Sequence, residues 1–327
     1  PVPTPVPTPE PTPSPTPVPT PPPTPIPTPT PVVGKIVEPG QSIQSAINSS
    51  NAGQTVWVKA GTWVLNSPLY MKRGVDVKAY PGMEAYNRET NSINPNHPKI
   101  IPGTCSQCSI RWNSGQGENE FSGFEVTGGW DGLRIHTDDV TVRNNWIHHV
   151  WYTGILIASA DNVLIEHNRS EIVGLNCSGW SNPEDGTNIS PRHCHPTYIS
   201  NVNGYCGVNN IIIRDNYLAN AVGVGVNFNG NDCQNSGGAL IENVLVEEND
   251  IVNVVTGTSQ WHGTRNVTVR NNSFTLNGSY DPKNYGGVGT PNIVWSLQCG
   301  IVTWDSWPTM SGNTFKLASG WRESCKY

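Results

Sequence analysis

The stretch VTVRNNWI at residues 140–147 recurs along the chain, and this recurrence decides the fold. Related copies are VLIEHN at 163–168, IIIRDNYL at 211–218, VLVEENDI at 244–251 and VTVRNNSF at 267–274. The sixth residue of each copy is Asn. Together with Asn313 of a weaker copy, these asparagines are spaced by 23, 48, 33, 23 and 41 residues. A base period of 23 residues, lengthened by insertions in three coils, indicates a repeat architecture.

Each copy has the features of a β-strand. It alternates apolar with polar residues and is rich in Val and Ile. The segments between copies are too short and too rich in Gly and Asn to form crossover helices. Parallel strands that repeat without helices stack as the coils of a solenoid, about 4.8 Å apart. The sequence therefore predicts an all-β solenoid.

Equivalent positions of the copies should form columns along this solenoid. Apolar positions such as Val142 and Ile147 are expected to face the interior, and the recurrent asparagines are expected to form an inward ladder of amide hydrogen bonds. The residue before each strand is Asp or Asn, which tolerates the left-handed backbone that a corner requires. The ladder comprises Asn145, Asn168, Asn216, Asn249 and Asn272, and the corner column comprises Asp139, Asn162, Asn210, Asn243 and Asn266.

A further column alternates in charge. It consists of Arg143, Glu166, Arg214, Glu247 and Arg270. We interpret it as an exposed ion-pair ladder, in which each pair contributes about 0–1 kcal/mol. The functional alternative is an arginine row that binds an anionic sugar, and the interleaved glutamates disfavour it.

Composition divides the chain into two parts. Residues 1–33 carry Pro at every odd position up to 31, so they have no apolar face and should form an extended polyproline II arm or linker. Residues 34–327 should form the solenoid domain, with an insertion at about 173–210. Residues 40–47 predict a short capping helix that begins at Ser42, and the Trp-rich residues 295–327 should cap the other end.

Charge and cysteine content narrow the function classes. The net charge is −6 and only 13% of residues are charged, which excludes a basic nucleic-acid binder. No apolar run reaches the ~18 residues of a membrane span. Eight cysteines and seven Asn-x-Ser/Thr sequons favour an extracellular, cell-surface location. The disulfide candidates are Cys105, Cys108, Cys177, Cys194, Cys206, Cys233, Cys299 and Cys325, and their pairing stays open.

Glycosylation candidates follow from the sequons and from the arm. Asn168 begins a sequon, but its place in the inward ladder predicts that it carries no glycan. The N-linked candidates are Asn176, Asn188, Asn271 and Asn277, and the O-linked candidates are Thr4, Thr8, Thr12, Thr16, Thr20, Thr24 and Thr28.

The capping segment, the following GQTVWVKAGTW at 53–63 and the VTVRNNWI-type coils together resemble the right-handed parallel β-helix superfamily, the pectate-lyase-like group. The resemblance covers nearly all of residues 34–320 and implies a right-handed β-helix. Members of this group include polysaccharide lyases, glycoside hydrolases, epimerases, tailspikes and non-catalytic surface proteins. The Asn-Thr-Asp, Gly-His-Gly and Arg-Ile-Lys set of polygalacturonases and the Asp-Pro-His of alginate epimerases are missing here.

The predicted insertion holds the candidate catalytic residues. A lyase needs a base that removes the proton α to a uronate carboxylate and a cation that stabilises the resulting anion. Arg192 with His193 or His195, aided by Tyr198, could supply both. No cofactor is required, although Ca²⁺ is possible for a lyase. The histidines at 148, 149, 167, 193 and 195 match no tight metal-ligand spacing.

Aromatic residues beside the coils suggest a second kind of site. Trp130, Trp151, Tyr152 and Trp180 could stack on sugar rings, and packing between loops is the alternative.

Three functions remain open from the sequence. The chain could be a glycosylated structural subunit that forms a homo-oligomer or homopolymer through its Pro-Thr arm. It could be a polysaccharide lyase or glycoside hydrolase tethered by that arm, or a tailspike or carbohydrate-binding module. Activity on polyuronates separates the first two.

Overall fold

Three long parallel sheets run along one axis in the computed structural model of the chain. The structure describes residues 33–103, 109–175, 194–200, 207–230, 240–261, 263–277, 299–304 and 307–326. Each coil contributes one strand to sheet A, then one to sheet B and one to sheet C, before the chain returns to sheet A. The protein is a right-handed parallel β-helix, as the repeat and the resemblance predict.

The strands are numbered along the chain. Sheet A contains β1 (Lys35–Val37), β2 (Thr55–Val58), β5 (Asp76–Ala79), β10 (Asn119–Ser122), β13 (Val140–Arg143), β16 (Asp161–Glu166), β19 (Val208–Arg214), β22 (Ile241–Glu247), β25 (Thr264–Arg270) and β28 (Thr309–Ser311). Sheet B contains β3 (Gly61–Leu65), β8 (Pro98–Pro102), β11 (Glu125–Thr127), β14 (Trp146–Val150), β17 (Arg169–Val173), β20 (Tyr217–Ala221), β23 (Asp250–Val252), β26 (Ser273–Leu276) and β29 (Thr314–Leu317).

Sheet C completes each coil. It contains β4 (Leu69–Tyr70), β9 (Ile110–Trp112), β12 (Asp131–Ile135), β15 (Thr153–Ile157), β18 (Thr197–Ser200), β21 (Val224–Asn229), β24 (Thr256–Gln260), β27 (Cys299–Thr303) and β30 (Arg322–Lys326). An antiparallel hairpin, β6 (Tyr86–Asn87) and β7 (Ser92–Ile93), lies in the connection between β5 and β8.

The core is a stack of equivalent apolar residues. Val142, Ile165, Ile213, Val246 and Val269 pair in register along sheet A, and all five are fully buried. At about 25 cal/mol per Å² of buried apolar surface, such columns supply the main stabilising free energy. The helix α1 (Ile43–Asn48) covers the first coil with Ile43 and Ile47, and Ser42 caps it by accepting from the backbone N–H of Ser45. The predicted capping helix is confirmed.

The recurrent asparagines lie in one buried column at the turn from sheet A to sheet B. Nδ2 of Asn145 donates to Oδ1 of Asn168 at 3.0 Å, and Asn216 repeats this contact with Asn249 at 3.0 Å. Each amide also donates to a backbone carbonyl, as Asn216 does to Ile165 at 2.9 Å. The ladder thus satisfies turn groups that would otherwise be buried without partners.

The corner residue of five repeat coils has the expected conformation, although it precedes only β13 and lies within the first three residues of β16, β19, β22 and β25. The φ angles there lie between 53° and 58°, in the left-handed region that Asn and Asp adopt at low cost. This prediction from the sequence is confirmed for Asp139, Asn162, Asn210, Asn243 and Asn266.

The charged column differs from its prediction. Arg143 and Arg214 both pair with Glu166, and Arg270 pairs with Glu247. Glu166 and Glu247 are only 5% and 8% exposed, so the prediction of an exposed ladder is wrong for its glutamates. The long arginine side chains lie across the sheet and cover the shorter carboxylates, which brings these ion pairs into a partly desolvated setting.

Two segments are more regular than the sequence suggested. Within the predicted insertion at 173–210, β18 pairs with β15 and β21 and is an ordinary rung of sheet C. Near the C-terminus, β27 to β30 continue all three sheets instead of forming a separate cap. Cys299 and Cys325 form a disulfide between β27 and β30 with a Cα–Cα distance of 6.1 Å. Among the described residues, no helix is long and apolar enough to cross a membrane.

Candidate functional site

Between the described strands, the largest separations in sequence occur where the chain passes from sheet B to sheet C. The chain takes residues 174–196 to pass from β17 to β18, and 277–298 to pass from β26 to β27. The turns from sheet A to sheet B in the repeat coils take only two residues, such as 144–145 and 271–272. Long connections on a rigid scaffold are the usual place of binding and catalysis. Sheet C is therefore the first candidate for the location of a functional site.

The structure places two of the four predicted catalytic residues on sheet C. His195 precedes β18 and Tyr198 lies within it, with ring centroids 5.1 Å apart. The other two, Arg192 and His193, lie outside the described residues. So do the predicted positions Trp180, Asn176, Asn188, Cys105, Cys108, Cys177, Cys206 and Cys233, and the arm with Thr4, Thr8, Thr12, Thr16, Thr20, Thr24 and Thr28.

Both nitrogens of the His195 ring have partners. The backbone N–H of Val224 donates to Nδ1 at 2.8 Å, and Nε2 lies 2.9 Å from the side-chain amide of Asn227. His195 is 1% exposed, and this geometry joins β18 to β21. Gly223 makes the contact possible, because a Cβ at that residue would lie 2.5 Å from Nδ1 of His195.

Tyr198 points away from the core, because its neighbours Thr197 and Ile199 face inward. Its hydroxyl accepts from Nδ2 of Asn229 at 3.0 Å, and it is 3% exposed. Tyr198 pairs in register with Leu156 and Asn227, which share the outward face of sheet C. The burial of Tyr198, Leu156 and Asn227 shows that this part of the outward face is closed to solvent.

Charged and aromatic side chains lie at the edges of this outward face. Asp131 is 1% exposed, and its Oδ2 accepts from Arg134 at 2.9 and 2.6 Å. Trp130 stacks on Tyr152, with ring centroids 5.3 Å apart. Trp130 is 4% exposed, so it does not present a free face to solvent, whereas Tyr152 is half-buried.

A second aromatic pair lies further along sheet C. Trp261 and Trp304 stack with ring centroids 4.0 Å apart and ring planes within 9° of parallel. Both are half-buried, as are His136 and Asn229 of the same row, so solvent reaches this row of side chains. Arg134 is also half-buried, at one end of the row that contains Leu156 and Tyr198. Together these half-buried side chains supply aromatic faces, a guanidinium and an amide, the groups that contact sugar rings and their substituents.

The histidines that were candidates for metal binding lie on different parts of the coil. His148 lies on sheet B, His167 at the corner between sheets A and B, and His195 at sheet C. Within the described ranges, no group of three or more His, Cys, Asp or Glu side chains is arranged to hold a metal ion. Cys194 is disulfide-bonded.

Comparisons with known proteins find similarity among solved structures alone. No family model matches the chain, and no curated protein matches its sequence. Among solved structures, a polygalacturonase from Erwinia carotovora ssp. carotovora is 14% identical with a TM-score of 0.47, over 87% of this chain and 76% of its own. Pectate lyase Pel9A is 13% identical with a TM-score of 0.42, over 90% and 77%.

An alginate lyase from Paenibacillus sp. str. FPU-7 is 14% identical with a TM-score of 0.35, over 86% of this chain and 95% of its own. Similarities at this level of identity concern the β-helix fold alone. The function has to be argued from the side chains on sheet C and elsewhere on the surface.

Proposed function

We propose that the chain is an extracellular carbohydrate-active protein, a polysaccharide lyase or glycoside hydrolase whose glycan lies along the outward face of sheet C. The observation that carries this proposal is the set of half-buried side chains at the solvent-accessible parts of this face, Arg134, Asn229, Trp261 and Trp304. Aromatic planes stack on sugar rings, and amide and guanidinium groups bind hydroxyls and carboxylates.

The Asp131–Arg134 pair suits a glycan with acidic substituents. Asp131 is almost fully buried and fixes the guanidinium, whereas Arg134 itself is half-buried. A guanidinium held in place loses little side-chain entropy when it binds a carboxylate. His195 and Tyr198 then serve as supports that hold β18 against β21. Ca²⁺, which a lyase could use, is not part of this proposal.

The proposal is tested by binding and cleavage with a panel of pectate, alginate and neutral polysaccharides. Absorbance of unsaturated products reports lyase activity, and new reducing ends report hydrolysis. Trp304→Ala is expected to weaken binding about tenfold, because loss of one stacking face costs about 1–2 kcal/mol.

Trp57→Ala is the matched control. Trp57 is a half-buried tryptophan on sheet A, and its indole N–H donates to the carbonyl of Val33. This variant should bind glycans as the parent does. Equal binding by the Trp304→Ala variant, or binding of no polysaccharide in the panel, would overturn the proposal.

A further inference from the structure

A cavity on sheet B is separate from the proposed glycan face on sheet C. It is lined by residues at the start of β3, by residues that precede β8, and by outward side chains of β8 and β11. Its volume of about 400 Å³ lies within the usual range of small-molecule sites. The lining residues are Ala60, Gly61, Thr62, Pro95, Asn96, His97, Lys99 and Glu125.

A cluster of charged side chains forms one wall of this cavity. Glu125 lies at its centre and is 4% exposed. Its Oε1 accepts from Nζ of Lys99 at 2.5 Å and from Nε2 of His148 at 3.0 Å, while its Oε2 lies 2.5 Å from Nε2 of His97. Burial would raise the pKa of Glu125, but these hydrogen bonds hold it well below its usual range. The carboxylate at this wall is therefore ionised.

His97 is a cation at the same wall. Its Nδ1 is hydrogen-bonded to the carbonyl oxygen of Asn94, and its Nε2 is hydrogen-bonded to the carboxylate of Glu125. A carbonyl and an ionised carboxylate only accept hydrogen bonds, so both ring nitrogens carry a proton. Burial would lower the pKa of His97, but its hydrogen bonds with Glu125 and with the Asn94 carbonyl raise it.

Lys99 is a second cation, and it is the charge that solvent reaches. Its side chain is 37% exposed, whereas the side chain of Glu125 is 5% exposed. An ammonium group has three N–H donors, and the contact with Glu125 engages one of them. The charges of His97 and Lys99 together outweigh that of the single carboxylate. The cavity therefore favours a ligand with a negative charge.

Hydrogen bonds of the backbone hold the walls of the cavity together. The N–H of Gly61 donates to the carbonyl of His97 at 3.2 Å, which joins the start of β3 to the segment before β8. In that segment, Oδ1 of Asn94 accepts from the N–H of Asn96 at 2.9 Å. The cavity is thus formed before a ligand arrives, which lowers the entropic cost of binding.

The uncharged part of the lining combines apolar and polar groups. Ala60 and Pro95 contribute apolar surface. Thr62 and Asn96 are exposed and contribute a hydroxyl and an amide. Sugar rings present both C–H groups and hydroxyls, so this lining suits a sugar better than it suits a bare inorganic anion.

We propose that this cavity binds one acidic sugar unit, with the acidic group beside Lys99 and the ring against Ala60 and Pro95. The acidic group is a carboxylate or a sulfate ester, since an ammonium binds either of them as a point charge. Glu125 fixes the position of the ammonium, and His97 offsets the charge of Glu125. This inference goes beyond the proposed function, because it places a second carbohydrate site on a different sheet.

Titration of the ¹⁵N-labelled full chain, followed by ¹H–¹⁵N NMR, tests the site. Galacturonate and galactose 6-sulfate should shift the backbone amide signals of Thr62, His97 and Lys99, and the tighter of the two identifies the acidic group. Neutral galactose should bind about tenfold more weakly or worse, because it lacks the charge-assisted contact. Acetate and inorganic sulfate should also bind more weakly than the acidic sugars.

Each probe can contradict the proposal. If neither acidic sugar shifts these amides, the cavity is not a site for such a ligand. If galactose binds as tightly as galacturonate, the charges do not select the ligand. If acetate and sulfate bind as tightly as the acidic sugars, the ring contributes nothing and the ligand class is wrong.

A matched pair of lysine variants tests the charge. Lys99→Met removes the ammonium and keeps a long side chain, and it should weaken galacturonate binding about tenfold or more. Lys78→Met is the control, because Lys78 also pairs with a largely buried glutamate, Glu120, but on sheet A. The control should bind galacturonate as the parent does. Unchanged binding by the Lys99→Met variant would overturn the role of Lys99.

A cavity-filling variant leaves all the charges in place. Thr62 is exposed on β3 and pairs in register with Lys99. Thr62→Phe should abolish the shifts caused by galacturonate with unfolding unchanged. This variant remains decisive if Lys99→Met is destabilised by the loss of one partner of Glu125. Binding by Thr62→Phe equal to that of the parent would overturn the location of the site.

The two proposals fail in different ways. Trp304→Ala, on sheet C, should leave the galacturonate titration of the cavity unchanged. If polysaccharide binds and Trp304→Ala weakens binding, but no acidic sugar shifts the cavity amides, the cavity proposal is wrong and the glycan face stands. If no polysaccharide binds, the proposed function is wrong, and the titration still decides whether the cavity is a site.

Discussion

Asn168 and Asn216 are neighbours in one hydrogen-bonded column, although 48 residues separate them in the sequence. Nδ2 of Asn168 lies 3.1 Å from Oδ1 of Asn216, the same contact that Asn145 makes with Asn168 one period earlier. The additional residues of this coil therefore leave the register of sheets A and B unchanged. An insertion costs little where its ends remain fixed in the sheets, since the entropy of loop closure grows slowly with length.

Removal of one ladder residue should be costly. Asn216→Ala deletes an amide that donates to Asn249 and Ile165 and accepts from Asn168, all of them buried. The unpaired groups left behind predict a loss of about 2–4 kcal/mol in the free energy of unfolding. Urea denaturation, with the m-value as a check on two-state behaviour, measures this loss.

The exposed corner ladder provides the control. Asn210 also bonds to an asparagine of the neighbouring coil, Asn162, at 2.7 Å, but it is exposed. Asn210→Gly keeps the left-handed corner and should cost less than about 1 kcal/mol. Equal costs for the two variants would show that burial of the ladder does not matter.

The sequence predicts some parts of this structure better than others. The columns followed from the spacing of Asn145, Asn168 and their equivalents, because a solenoid places residues one period apart on top of one another. One coil earlier the offset differs from this period, since Thr127 pairs with His148 and not Glu125, which lies 23 residues before it. The contacts of Glu125 with His97, Lys99 and His148 could not be predicted from this spacing, because they join side chains of different rows and coils.

Other features could not be read from the repeat. His195 was assigned to an insertion because no copy of the repeat covers residues 169–210, yet the chain returns to sheet C at β18. Burial of Glu166 depends on how the side chains of Arg143 and Arg214 lie across it, which a strand pattern does not encode. Sequence periodicity fixes the rungs of a β-helix, while the contacts between its outward side chains depend on three-dimensional packing.

Relief of backbone strain at Ile172, near the end of β17, gives a second prediction. Asn220 and Asn253 occupy the equivalent position in the next two coils, also with positive φ. Ile172→Asn places the same residue type at position 172, where φ is 55°. The free energy of unfolding should rise by about 1 kcal/mol, since Asn tolerates this backbone and a half-buried Ile loses only part of its packing. Thermal and urea unfolding measure the change. Ile172→Val, which keeps the β-branch, should not stabilise the protein, and stabilisation by both variants would contradict the strain argument.

Acid should weaken the protein through Glu120. Burial would raise the pKa of Glu120, but hydrogen bonds from Arg143, Ser122 and Lys78 lower it from 4.5 to about 2. A carboxyl whose pKa is lowered on folding stabilises the protein above its unfolded pKa, and this stability is lost as the pH falls from about 4.5 toward 2. With allowance for solvent screening of the network, the contribution at neutral pH is about 1–2 kcal/mol.

Glu120→Gln tests this linkage. The variant should be less stable than the parent at pH 7, and its stability should fall less steeply between pH 4.5 and 2. Glu248→Gln removes the same charge from an exposed corner residue and should retain the slope of the parent. Urea unfolding at a series of pH values gives the slopes. A Glu120→Gln variant with an unchanged slope would mean that other carboxyls dominate the acid sensitivity.

Burial should also decide which sequons accept a glycan. Asn168 begins a sequon but is fully buried, with its Nδ2 bonded to Asn216, Val142 and Glu166. Asn277 is exposed at the end of β26. When the chain is secreted from a host with N-glycosylation, mass spectrometry of its peptides should find glycan on Asn277 and none on Asn168. The transferase needs the amide nitrogen that the ladder engages, so a glycan on Asn168 would have to precede folding of its coil. Its detection in the folded protein would contradict the inward position of this residue.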